Sequence, residues 1–309
     1  MLRFVSLAAL IVTLLAALLT VLLPAAAHSL PAPQLIPLNF NGDLYIFDLQ
    51  RRVFAGLPHS FEREGYADVA PDNARLVYPS TDADGYALYV MGIFNAEREK
   101  VRVQPYNSGS PSWSPDGQRL AFVNSNEIVV LDLRNQQVKV IDGLYTAKTP
   151  PTWSPDGVYL VYGMITDLIL QEIWVKAVDC EDCPARMLVA HVANNFYPVW
   201  SPDGAWVAFI SDRSGTYDLY ITSTACLYEA RDCMQQNALP YRIHDLATTR
   251  PIWAADGARL IYQSFASGGK LPDLYMIDAD CATIPGRCAS EQISAFNRLP
   301  WTRGWRWGW

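Results

Sequence analysis

The sequence predicts an all-β protein, a six-bladed β-propeller of four-stranded antiparallel blades. The first reason is a repeated phrase: Pro111-Ser-Trp-Ser-Pro-Asp-Gly117, Pro151-Thr-Trp-Ser-Pro-Asp-Gly157, Pro198-Val-Trp-Ser-Pro-Asp-Gly204 and Pro251-Ile-Trp-Ala-Ala-Asp-Gly257, with a fainter Ala67-Asp-Val-Ala-Pro-Asp-Asn73. The shared aspartates Asp72, Asp116, Asp156, Asp203 and Asp256 stand 44, 40, 47 and 53 residues apart, a period that belongs to stacked β repeats. The second reason is the short alternating apolar run after each phrase. The third is that the two ends of the chain complement each other as parts of one repeat.

Each element follows from its residues. Pro-Asp-Gly and Pro-Asp-Asn supply the preset φ, the local side-chain hydrogen bond and the left-handed position of a tight hairpin turn, so one strand arrives there and another leaves. The leaving strands are Arg75–Tyr78, Arg119–Val123, Tyr159–Tyr162, Trp206–Ile210 and Arg259–Tyr262, rich in β-branched and aromatic residues. Third strands are expected at Ala87–Val90, Glu127–Leu131, Glu172–Val175, Asp218–Ile221 and Asp273–Met276, and fourth strands at segments such as Lys100–Val103 and Gln137–Val140. Four antiparallel strands per repeat make a propeller blade.

The stretch Leu35–Asp48 aligns with Leu260–Asp278, so the first repeat lacks an innermost strand. Leu299-Pro-Trp301 echoes the start of a repeat and runs into a Trp-rich tail ending at Trp309. The expectation is a ring closed by this C-terminal strand joining the N-terminal strands, which removes the exposed edges of an open sheet.

The phrase Pro-x-Trp-Ser-Pro-Asp-Gly, then Leu-Ala-Phe, then Ser211-Asp-Arg-Ser-Gly-Thr-Tyr-Asp-Leu-Tyr-Ile221 resembles the TolB-type propeller repeat, a relative of the WD-repeat blade. Its best copy is Pro198–Ile221, and the likeness runs from about residue 35 onward. The resemblance implies a propeller of residues 35–309 that acts as an interaction hub outside the cytoplasm. It does not by itself imply one activity, since this repeat serves unrelated tasks.

Residues 1–27 have the charged start, apolar middle and small-residue end of a secretory signal peptide, with cleavage expected after Ala27 and a short linker at 28–34. The alternative is an uncleaved anchor, because the apolar run Phe4–Leu23 is long enough to span a bilayer. Either way the propeller is expected outside the cytoplasm: periplasmic, secreted, or tethered through this helix alone. The six cysteines fall in three close pairs, Cys180 with Cys183, Cys226 with Cys233 and Cys281 with Cys288, each between third and fourth strands. Behind an export signal they read as disulfides, each worth on the order of 2 kcal/mol for such short loops. Zinc at Cys180 and Cys183 and free thiols are the alternatives.

A formal charge of −7 without a Lys or Arg run argues against a nucleic-acid partner. No Gly-x-Ser-x-Gly elbow marks a serine hydrolase. The four histidines do not suggest a shared metal site: His191 and His244 both fall near the ends of outer strands, where blades splay apart. Thr81-Asp-Ala-Asp-Gly85 lacks the later ligands of a calcium loop and reads as a turn. Hence no cofactor and no metal is expected. Trp113, Trp153, Trp200 and Trp253 read as packing between blades rather than a sugar platform.

If a ligand binds, the channel mouth is the physical default, because loops from every blade converge there. The segments entering the innermost strands carry Asn107 and Ser110, Lys148 and Thr149, Asn194, Asn195 and Tyr197, Thr249 and Arg250, and Asn297 and Arg298. Together they form a mildly basic funnel that suits a carboxylate or an acidic peptide end. The expected function is therefore a non-enzymatic scaffold for a protein or peptide partner in the cell envelope. The alternatives are a propeller lyase or hydrolase acting on extracellular polysaccharide, which calls for carboxylates or histidines in the mouth, and an anchored spacer.

Overall fold

The computed structural model describes residues 34–40, 43–57, 66–82, 85–101, 111–143, 146–147, 149–165, 170–189, 193–228, 241–244, 250–264, 273–282 and 288–293. Within them, six small antiparallel sheets follow one another along the chain and form the six blades of a propeller. Blade 1 contributes Leu35–Phe40, Asp43–Asp48 and Val53–Gly56. Blade 2 runs Asp68–Val69, Arg75–Asp82, Gly85–Gly92, Arg98–Val101, and blade 3 runs Ser112–Trp113, Arg119–Asn124, Glu127–Asp132, Val138–Asp142. In blade 4 the inner strand is split into Thr146–Ala147 and Thr152–Trp153, followed by Tyr159–Ile165, Gln171–Ala177 and Arg186–Val189. Blade 5 comprises Asn195–Trp200, Trp206–Ser211, Asp218–Ser223 and Tyr241–His244; blade 6 comprises Ile252–Trp253, Arg259–Ser264, Asp273–Asp278 and Glu291–Gln292.

The repeated turn works as its residues dictate. In blade 3, Gly117 takes φ +66° and its N–H donates to the Ser114 carbonyl at 2.9 Å. The Ser114 hydroxyl accepts the N–H of Arg119 at 2.9 Å and bonds Asp116. In blades 2 and 6 alanine replaces that serine, and the aspartate turns instead to the arginine: Arg75 Nε donates to Asp72 and Arg259 Nε to Asp256, both at 2.8 Å. With the serine present, Arg119 stays 4.0 Å from Asp116.

Alternation along the second and third strands puts one face against the preceding blade and the other against the next. Leu120, Phe122, Val129 and Leu131 pack back on blade 2, while Ala121, Val123, Ile128 and Val130 pack forward on Trp153, Leu160 and Tyr162 of blade 4. The repeat tryptophans seal these seams. Trp153 Nε1 donates to the Ser112 carbonyl and Trp253 Nε1 to the Val199 carbonyl, each reaching one blade back.

The last seam joins the two ends of the described chain. Ile36, Leu38 and Phe47 share a core with Ala254, Ile261, Leu274, Met276 and Ile293, and Arg52 pairs with Glu291 at 2.7 Å. Blade 1 shows the three strands expected of a repeat that lacks its innermost one. The strand expected from Leu299–Trp301 lies outside the described residues, as do the leader 1–27 and most of the linker. Among the described residues no helix is long and apolar enough to cross a membrane.

Disulfides join Cys180 to Cys183 and Cys281 to Cys288. Cys226 is disulfide-bonded too; Cys233, its sequence-expected mate, lies outside the described residues. The outer strand of blade 2 begins at Arg98, two residues before the expected Lys100, because its register is set by pairing Met91 with Arg98 across the hairpin.

Candidate functional site

The innermost strands run around the axis, and in blades 2, 5 and 6 the residue just before the repeat phrase lies in or beside them. In blade 2 this residue is Tyr66, in blade 5 Tyr197 and in blade 6 Arg250. The structure brings these three together. The Tyr66 and Tyr197 rings meet edge to face with centroids 5.3 Å apart. Blades 2 and 5 are three steps apart in a ring of six, so this contact spans the axis.

Tyr197 reaches that far because the inner strand of blade 5 is irregular. Its pairing shifts between Phe196 and Val199, and Tyr197 adopts φ +53°. A bulky residue in the left-handed region is uncommon and costs on the order of 1–3 kcal/mol. Pro198 contributes to the break, since it has no N–H to give the ladder.

Polar bonds complete the cluster. The Tyr66 and Tyr197 hydroxyls are hydrogen-bonded to each other, and the Arg250 main-chain N–H donates to the Tyr66 hydroxyl. Burial, then the proximity of Tyr197, pushes the Tyr66 phenol far above its ordinary range. Two residues along from Tyr66, Asp68 accepts the N–H of Trp113 at 2.8 Å through Oδ2, locking blade 2 to blade 3. Desolvation raises the Asp68 carboxyl above its usual range, while the Arg250 charge and the N–H groups of Trp113 and Val69 oppose that rise. Arg250 makes no ion pair or side-chain hydrogen bond with any described residue. Tyr66, Asp68, Tyr197 and Arg250 are all half-buried, as residues lining a narrow channel must be.

The other mouth residues named by the sequence have different places. Asn195 is fully buried; its amide donates to the carbonyls of Gln171 and Ala193 and accepts from Arg213 at 2.8 Å. Asn194 holds Asp212 through main-chain and side-chain bonds of 2.8 and 2.9 Å. Thr149 is buried and its hydroxyl accepts the Gly163 N–H at 2.8 Å. These three polar side chains thus brace the frame of blades 4 and 5. Asn107, Ser110, Lys148, Thr249, Asn297 and Arg298 lie outside the described residues.

Arg213 shows why the Ser211–Gly215 loop is stiff. Its guanidinium lies 5.0 Å from the Tyr220 ring centroid and 5.5 Å from that of Phe209, and desolvation lowers its pKa. An ion pair joins the buried Asp218 to Arg242 of the outer strand at 2.9 Å.

Sequence reasoning missed Tyr66 and Asp68. The signal was available: aligning the faint copy Ala67–Asn73 on the others puts Tyr66 level with Tyr197 and Arg250. Among the described residues, no group of three or more His, Cys, Asp or Glu is placed to hold a metal ion.

Comparison with known proteins agrees with this architecture. A family model described as the TolB beta propeller domain matches residues 108–239. The "Uncharacterized peptidase YuxL" of Bacillus subtilis is 26% identical over 197 residues, 59% of this chain and 28% of that protein. The Tol-Pal system protein TolB of Alcanivorax borkumensis is 37% identical over 59 residues, 19% of this chain and 14% of that protein. The chain therefore spans under a third of the length of these curated relatives. The crystal structure of TolB from Acinetobacter baumannii superposes with a TM-score of 0.64 at 20% identity, covering 78% of this chain and 58% of that one. The repeat phrase, the six-bladed ring and the family match over residues 108–239 together support a likeness to the TolB-like β-propeller family.

Proposed function

We propose that the chain works by binding, as a scaffold that docks a protein or peptide partner at the channel mouth marked by Tyr66, Tyr197 and Arg250. The observation that carries this reading is the cluster at the channel: the Tyr66 and Tyr197 rings meet across the ring with centroids 5.3 Å apart, and half-buried Arg250 binds the Tyr66 hydroxyl through its main-chain N–H. Rigid strands from three blades hold these groups, which is how a binding site is kept preorganised. Likeness to TolB proteins adds support for protein partners. The export-type leader and the disulfides support a location outside the cytoplasm, in the cell envelope or beyond it.

The test is crosslinking of the tagged protein in its native envelope, wild type beside Arg250→Gln. A partner captured by the wild type and lost by the variant is the expected result; capture indifferent to Arg250 would move the site off the mouth.

A second reading is favoured by the likeness to the B. subtilis protein named as a peptidase: the ring admits peptides to a peptidase. It predicts that the purified chain accelerates cleavage of fluorogenic peptides, alone or with a co-purifying enzyme. Absence of any such turnover leaves the binding reading in place.

A further inference from the structure

We infer that the outer edge of blade 3 is a second docking surface, which takes an extended peptide as an added fifth strand and reads one acidic side chain of it with Lys139 and Lys176. This surface lies on the rim of the ring and does not depend on the channel mouth.

The main chain comes first. Val138–Asp142 is the outermost strand of its blade and pairs only with Glu127–Asp132. Across the hairpin the Asp132 N–H donates to the Gln137 carbonyl at 2.9 Å. Hydrogen-bonded and non-hydrogen-bonded pairs alternate along an antiparallel ladder. Val130 and Lys139 therefore bond each other, while Val138, opposite Leu131, and Val140, opposite Val129, turn their N–H and C=O groups outward. The neighbouring ladder agrees: the Leu133 N–H donates to the Gln118 carbonyl at 2.9 Å, which in the same alternation directs the main chain of Leu131 and Val129 to the strand on their other side. Among the described residues nothing bonds the outward groups of Val138 and Val140. Two residues apart on one edge, they stand in the register that an added strand uses.

The side chains come second. Edges are commonly kept from pairing by charge or by shortness, as at Arg98–Val101 in blade 2 and the two-residue Glu291–Gln292 in blade 6. On the blade 3 edge Val138 and Val140 are instead 46% and 52% exposed. Its Lys139 falls on the opposite face, shared with Ile141, which belongs to the core formed with Trp153 and Tyr162 of blade 4.

On that face a groove of about 220 Å³ opens between Lys139 and Ile141 of blade 3 and Lys176, Val178 and Cys180 of blade 4, with exposed Glu181 also lining it. The groove is smaller than the roughly 300–1,000 Å³ of a small-molecule pocket and suits one side chain of a peptide lying along the edge. Lys139 and Lys176 are half-buried and make no ion pair with any described residue; Glu181 sets one negative charge against their two. One carboxylate completes the balance. A second copy of this chain is the poorer occupant, because edge-to-edge pairing would lay one Lys139 along the other, and like charges across a ladder repel. A peptide with an Asp or Glu between two β-branched residues fits both faces, its carboxylate in the groove opposite Lys139 and its apolar neighbours over Val138 and Val140.

The experiment uses the purified full chain, immobilised, and matched pools of end-capped, fluorescein-labelled heptapeptides in which β-branched residues flank a central Glu or a central Lys. Wild type is expected to retain the Glu pool about tenfold better than the Lys pool, and the double variant Lys139→Gln, Lys176→Gln to abolish that difference. N-methylation of the two residues flanking the Glu, which removes the N–H groups that would meet Val138 and Val140, is expected to cut retention severalfold. Arg250→Gln is expected to leave retention unchanged, and thermal unfolding of each variant checks that the ring is intact. Equal retention of both pools, no retention of either, or retention indifferent to the lysines or to N-methylation would overturn the inference and leave the mouth reading standing. Loss of retention in Arg250→Gln would overturn it in favour of the mouth.

Discussion

The Arg119 guanidinium of blade 3 lies 4.6 Å from the centroid of the Trp153 ring of blade 4. The same relationship holds one seam earlier, where Arg75 of blade 2 lies 4.8 Å over Trp113 of blade 3. In both cases the arginine belongs to the second strand and the tryptophan to the next repeat phrase, so the motif that makes the turn also ties it to its neighbour. Where Tyr159 and Trp206 replace the arginine, in blades 4 and 5, the seam is tied by hydrogen bonds instead, such as Thr152 Oγ1 to the Pro198 carbonyl and Trp253 Nε1 to the Val199 carbonyl.

This latch has a measurable strength. Arg119→Ala and Trp153→Ala are expected to be coupled in a double-mutant cycle by about 0.5–2 kcal/mol, the range of a partly buried cation–π contact. Denaturant unfolding of the four proteins gives the coupling, and a value indistinguishable from zero would reduce the contact to coincidence.

One amide adds a polar bridge to the closing seam. Gln34 Nε2 donates to the Trp253 carbonyl at 2.7 Å and Oε1 accepts the Ala255 N–H at 2.8 Å. Gln34→Ala should cost about 0.5–1.5 kcal/mol by removing bonds at a partly exposed seam. Gln34→Glu should cost at least as much at pH 7, because a carboxylate keeps one bond but faces the Trp253 carbonyl with an acceptor. If Gln34→Glu proves the milder of the two, the amide is not bridging as described.

Gly163 is required by its neighbours rather than by its backbone angles. A Cβ there would stand 2.4 Å from both Gln171 Nε2 and Thr149 Oγ1, and both side chains are buried. Gly163→Ala is expected to destabilise the protein by about 1–3 kcal/mol, as overpacking does. Unfolding midpoints compare the two, and an unchanged midpoint would mean that blade 4 absorbs the methyl.

Stability should fall in acid through the repeat turns. At Asp72, Asp116 and Asp256 desolvation raises the pKa, but hydrogen bonds outweigh it: from Ala74 and Arg75, from Ser114 and Gln118, and from Ala258 and Arg259. All three carboxyls end below the ordinary 3.8. A folded-state pKa below the unfolded value contributes stability that is full above the unfolded pKa and is lost as pH drops through the folded one. The urea midpoint is therefore expected to decline as pH is lowered from about 5 to 2. The Asp72→Asn, Asp116→Asn, Asp256→Asn triple variant should flatten that decline, and an identical pH profile would assign acid sensitivity to other groups.

Much of the fold was legible in one dimension. Turn residues declared themselves through Pro-Asp-Gly, since few residues accept the left-handed position that Gly117, Gly157, Gly204 and Gly257 occupy. Second and third strands were legible because both faces are buried between blades, which enforces apolar runs such as Arg119–Asn124 and Glu127–Asp132, although the second strands of blades 2 and 4 run on to Asp82 and Ile165, four and three residues past the expected ends. Outer strands were less so: Val138 and Val140 are exposed, and burial no longer dictates what stands there.

The proposed binding site was legible only in part. Tyr197 and Arg250 were named from their position before the repeat phrase, but so were Thr149, Asn194 and Asn195, whose polar atoms are engaged inside the frame. Polarity before a strand cannot distinguish a side chain that meets the channel from one that braces a neighbour. Tyr66 and Asp68 escaped because the copy that Tyr66 precedes and Asp68 belongs to is worn, with Ala67 and Val69 in place of proline and tryptophan.

By itself the sequence determined the repeat, its turns and the local pairing of Cys180 with Cys183 and Cys281 with Cys288, because each of these depends on residues close together in the chain, while the number of blades came from comparing its two ends. Tertiary structure decided what stands on the axis. Tyr66 and Tyr197 are 131 residues apart in the chain and touch because six blades turn through a full circle. No local pattern encodes a contact that exists only when the ring has closed.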